Sequence, residues 1–171
     1  PCASYLRFNA PFMNDTDERM YLSDRITEMY AGPFTHVCMF YFYKKEWYAT
    51  SLTKDPGVFM YSKIKTLPSI DKKFHGYLKL AITDTQMEQI MKKSKYLADM
   101  KVYYSSLKQF FPSRCFSESC ILTRGWFCSE ICLFLLQEIG VFAYQQGKIK
   151  RKINPASITT TELFLLVRCS P

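Results

Sequence analysis

The stretch WFCSEICLFLLQEIG, residues 126–140, decides how the chain is read. Apolar residues recur at Ile131, Leu133, Phe134, Leu135, Leu136 and Ile139, the spacing of a helix of about three turns buried on most of its circumference. Gly140 is a natural stop, because glycine reaches the left-handed conformation that ends helices. Ser129 and Glu130 bring cap-forming and acidic chemistry to the first turn. Cys128 stands where the helix begins. A thiol there feels the positive end of the helix dipole, which favours its thiolate.

Outward from this helix, the strongest strand is FTHVCMFYFY, residues 34–43, rich in aromatic and β-favouring side chains. His36, Cys38, Phe40 and Phe42 fall on one face, and Val37, Met39, Tyr41 and Tyr43 on the other. Lys44-Lys45-Glu46 is a polar turn without the usual Asn-Gly signal, and 47–52 is the returning strand. Lys54-Asp55-Pro56-Gly57 is a clear turn before a third strand at 58–65. GYLKLAI, 76–82, is a fourth. Thr83-Asp84 caps a helix that runs to about Met100. Residues 1–17 read as a strand or arm plus a loop, 19–30 as a short helix, and 102–111 as either strand or helix. Near the end, Ser157 or one of Thr159 to Thr161 caps a short helical turn, followed by an apolar element at 163–167. The pattern predicts an α+β fold: an antiparallel sheet with helices packed on one side.

Composition sets the outer bounds. The 171 residues suit one domain, 1–171, and 48% are hydrophobic, so the chain can bury a core. Fourteen Phe, twelve Tyr and two Trp make it aromatic-rich, while six Gly leave little room for a glycine-rich phosphate loop. No apolar run reaches the ~18 residues of a membrane span, and the first residues lack a signal-peptide pattern. A cytoplasmic location follows as the expectation. Seven cysteines, an odd number, fit reduced thiols, with Cys115 and Cys120 close enough in sequence for a small disulfide loop. No C-x-x-C pair occurs and the two histidines, His36 and His75, lie far apart, so neither a metal nor another cofactor is expected. The net charge of +8 concentrates only in KIKRK, residues 148–152 (Lys148, Lys150, Arg151, Lys152). That run is read first as a solvated loop and otherwise as a contact for an anionic surface. Nucleic acid is not the first choice of partner, since no base-reading motif accompanies it.

Nucleophilic thiol chemistry needs a thiolate and a base. Cys128 is the best-placed thiol, and His36, at the beginning of a strand, the better base. Each has a plainer reading, Cys128 as a small buried hydrophobe and His36 as a satisfied strand-end histidine. Cys132, one turn after Cys128, reads as core. Glu130 reads as a helix-start residue, and His75, in KKFHGY, as surface.

FTHVCMFY resembles the S/T-H-V strand of the circularly permuted NlpC/P60 group of papain-like thiol proteins, which includes YiiX-like bacterial hydrolases and poxvirus relatives. WFCSEICLFLLQEIG is similar to that group's C-S-E helix. SDRITEMYAGPFTH, AITDTQMEQIMKKSKYLADMKVYY and NPASITTTELF resemble, in order, its lead-in helix, its mid-chain segment and its tail motif. The tail has Thr160 or Thr161 where proline is common.

The resemblance covers most of the chain from Ser23 onward. It implies a permuted papain-like fold with Cys128 as nucleophile, His36 as general base and the Cys128 backbone N–H in an oxyanion hole. It implies a peptide, amide or acyl-lipid substrate and, through the poxvirus relatives, a viral protein. It also implies a polar residue on the next strand to orient the imidazole. That position falls near Ala49, which cannot do so. Thr50 is the nearest substitute, ahead of Tyr48 and Glu46. A catalytically degenerate binding or structural protein is the alternative that this departure raises.

Overall fold

The computed structural model describes residues 3–9, 34–53, 56–68, 75–105, 125–141, 155 and 158–169. Five strands form one sheet: β1 (Ala3–Asn9), β2 (His36–Tyr43), β3 (Glu46–Leu52), β4 (Phe59–Ile64) and β5 (His75–Leu80). Among the described residues three helices follow: α1 (Asp84–Asp99), α2 (Cys128–Glu138) and α3 (Thr160–Arg168). The strand order is β4-β3-β2-β1-β5, and every neighbouring pair is antiparallel. The α+β class expected from the sequence is therefore what the chain adopts. The helix expected at 19–30 lies outside the described residues.

The N-terminal segment is more than an arm. β1 lies inside the sheet, between β2 and β5. Its alternation explains the placement: Ser4, Leu6 and Phe8 point one way and are fully buried, while Ala3, Tyr5 and Arg7 point the other and are partly covered. At the β2–β3 hairpin the two-residue loop is Lys44-Lys45, and both have positive φ, 49° and 67°. A tight hairpin needs that mirror-image turn to match the twist of its strands, even where the residues that favour it are absent. Of the segment after α1 that is ambiguous in sequence, the described residues 102–105 make isolated bridges: Val58 with Tyr103 and Tyr104 with Trp126.

One face of the sheet carries Leu6, Phe8, Val37, Met39, Tyr41, Leu52, Phe59 and Leu80, and these share one core with the helices. Against it α1 turns Met87, Ile90, Ser94 and Leu97, spaced for a single helical stripe. Thr83 and Gln86 form a full capping box at its start. On α2, Ile131, Leu133, Leu135 and Leu136 are all at most 1% exposed. Burial of each is worth about 1.5–3 kcal/mol, more than any helix propensity, so packing holds α2 in place. Phe127 offers no side-chain acceptor, so the α2 cap is one-sided: the Phe127 N–H donates to Glu130 Oε2 at 3.1 Å. α3 is a full helix of nine residues with a complete box at Thr159 and Glu162. It docks through Leu163 and through Phe164, whose ring is 5.2 Å from that of Phe8 and 4.7 Å from that of Phe34. Tyr41, buried at the centre, sets its hydroxyl 3.2 Å from Thr50 Oγ1 and 3.5 Å from Ser94 Oγ, tying β2, β3 and α1 together.

Candidate functional site

Cys128 is the first residue of α2 and is 1% exposed. Its sulfur lies 3.8 Å from Thr160 Oγ1 and accepts from the backbone N–H of Val37. Around it the chain closes a corner. Ser129 Oγ donates to Ile158 O at 2.8 Å, and the Phe34 N–H donates to Thr161 Oγ1 at 3.4 Å. The start of β2, the start of α2 and the start of α3 thus meet at one point.

Two effects compete on the thiol. Burial raises its pKa, while the Val37 N–H, the Thr160 hydroxyl and the N–H groups of Ser129 and Cys128 lower it. Burial wins, and the pKa is pushed up to about 11. The helix start does supply the donors that the sequence suggested. A helix terminus contributes only ~0.3–2 kcal/mol, however, and desolvation of a fully buried group can move a pKa by ~3–5 units. Cys128 is therefore a neutral thiol at pH 7, where the sequence favoured a thiolate.

His36 is the first residue of β2 and is partly buried. Its Nε2 lies 3.3 Å from Ser51 Oγ. Burial, with the Arg7 guanidinium second, depresses its pKa to about 4, so the ring is neutral at pH 7. Strand alternation puts His36 on the face of Cys38 and Ser51, and Val37 on the face that α2 covers. The structure thus brings Cys128 to the backbone beside His36 but not to its imidazole. Among the described residues the hydrogen-bond partners of the two side chains are different groups, Thr160 and Val37 for one and Ser51 for the other.

Thr50 is 2% exposed, pairs with Met39 and turns its hydroxyl to Tyr41 in the core. It does not reach His36. Ser51, one residue on, does, because a shift of one position changes the face of a strand. Ala49 shares the face of His36 but stands opposite Phe40, about 13 Å further along the strand. Tyr48 and Glu46 bond each other at 2.8 Å at the far end of β3. The signal for Ser51 was present in the hairpin's period of two. The signal for Thr160 lies in the tail NPASITT, which the sequence presents as a helix cap and as a segment resembling the group's tail motif.

Cys132 is buried beneath Cys128, and burial raises its pKa well above the ordinary value. Cys38 is also buried and pushed up to about 12. No trio of His, Cys, Asp or Glu among the described residues could hold a metal ion. No helix among them is long and apolar enough to cross a membrane. Cys115, Cys120, the run 148–152 and the side chain of His75 lie outside what is described.

Compared with protein-family models, with curated proteins and with solved structures, the chain matches none.

Proposed function

We propose that this chain is a binding or structural protein built on a permuted papain-like scaffold, without a working thiol centre. One observation carries the reading. The Cys128 sulfur is enclosed against Thr160 and the Val37 N–H, while the His36 ring turns to Ser51 across the sheet. A nucleophile needs its base within hydrogen-bond reach and some thiolate at working pH. A thiol near 11 beside no imidazole meets neither condition. The test is incubation with p-nitrophenyl acyl esters at pH 7.5, with intact-mass analysis for an acyl adduct on Cys128. The reading expects none. An adduct that is lost in His36→Ala overturns it.

A second reading is the cysteine-dependent hydrolase or acyltransferase acting on an amide or ester bond, and a specific observation favours it. Parts of the pieces that resemble the permuted group, THV, CSE and the tail's Ile158 and Thr160, meet around the Cys128 sulfur. In this reading the His36 ring leaves Ser51 and takes the Cys128 proton. The sulfur then attacks the carbonyl, and the amine or alcohol departs with that proton. Water hydrolyses the thioester and restores the thiol. The N–H groups around the sulfur would hold the oxyanion. The adduct experiment separates the two readings. The cytoplasmic site expected from the sequence and the viral origin implied by the resemblance belong to this proposal.

A further inference from the structure

α1 carries a second stripe besides its buried one. Gln89, Lys92, Lys93 and Tyr96 follow one another at helical spacing, and the C-cap Met100 continues the stripe. Tyr96 and Met100 are 55% and 61% exposed. Together with Glu138 at the end of α2, the first four line a groove of about 410 Å³. That is within the range of sites that hold a ligand or an anchoring side chain. Lys93 is held by several contacts: its Nζ sits 2.9 Å from Glu138 Oε2, 5.2 Å from the Phe134 ring and 5.9 Å from the Tyr96 ring. Phe134 in turn packs edge-on against Trp126 at 5.2 Å. Lys92 is exposed and forms no ion pair with any described residue. The lining therefore carries two lysines against one glutamate, beside an aromatic ring that water covers at a cost.

We propose that this groove binds an acidic segment of a partner protein that presents an aromatic or long apolar side chain. The apolar side chain lies on Tyr96. Carboxylates of the segment pair with Lys92 and compete with Glu138 for Lys93. Concavity and charge favour a peptide over a lipid surface. The site is recessed between two helices, and Glu138 at its rim repels a continuous layer of anionic headgroups. Neither Cys128 nor His36 takes part, so this proposal stands or falls apart from the absence of thiol chemistry.

The test uses the full chain and a fluorescein-labelled peptide of alternating glutamate and phenylalanine, read by anisotropy. The expected result is saturable binding that weakens as salt rises. It should fall about tenfold, ~1.4 kcal/mol, in Lys92→Glu and again in Tyr96→Ala. Both side chains are exposed, and circular dichroism checks that each variant is folded. Failure to saturate overturns the proposal. So does equal affinity for a lysine–phenylalanine peptide, or binding that both variants leave unchanged. Binding to phosphatidylserine vesicles through the same two residues, without peptide binding, also overturns it.

Discussion

His36 Nε2 lies 3.3 Å from Ser51 Oγ, on the sheet face opposite the one that α2 covers. This pairing joins the first residue of β2 to the next-to-last residue of β3. Burial, with the Arg7 guanidinium second, holds the imidazole neutral at pH 7.

The first consequence is a pH dependence. His36 binds its proton less tightly in the fold, near 4, than in an unfolded chain, near 6.5. Between these values the unfolded chain takes up the extra proton, so stability falls as pH drops through that window. The loss is up to about 3 kcal/mol by pH 4. Urea melts of the wild type and of His36→Gln across pH 4–7 check this. The variant is expected to lose that slope. An NMR titration should find the His36 ring neutral down to about pH 4, and Ser51→Ala should shift its midpoint.

The buried hydroxyls make a second, separable prediction. Tyr41→Phe leaves Thr50 Oγ1 and Ser94 Oγ without the hydroxyl they face. It should cost about 1–3 kcal/mol in a denaturant melt. Thr50→Val should destabilise by about 1 kcal/mol and leave the His36 titration unmoved, because Thr50 faces the core. If Thr50→Val moves that titration as far as Ser51→Ala does, Ser51 is not the partner.

The turn between β2 and β3 carries a third. Lys44 and Lys45 both hold positive φ without being glycine. Replacing the pair by Asn-Gly supplies residues that adopt this turn readily, and should raise stability by about 1 kcal/mol. Thermal or urea midpoints report it. An unchanged or lower midpoint would mean that the lysines contribute through their side chains, as where Lys44 stands 4.9 Å from the Tyr43 ring centroid.

The sheet and its helices were legible where a period governs them. The alternation of FTHVCMFYFY gave β2 and its two faces, and Thr83-Asp84 gave the start of α1. The place of β1 was not legible, because pairing partners depend on contacts distant in sequence. In the site, Cys128 at the start of α2 was readable from the apolar run that follows it. Its protonation was not, because the balance of dipole and desolvation depends on what closes over the sulfur, namely Thr160 and Val37. Nearness in sequence to Ala49 points to Thr50. The face it occupies is fixed by the register with Met39, which the sequence does not state.

The central claim is that Cys128 is a closed, neutral thiol, and alkylation tests it most directly. Folded protein is treated with iodoacetamide at pH 7.5, and each cysteine is followed by peptide mass. Of the described cysteines, Cys169 is exposed and should react first, while Cys128 stays unmodified until the chain is unfolded. Rapid alkylation of Cys128 in the folded protein, slowed by His36→Ala, would contradict the claim and establish a working thiolate–imidazole pair.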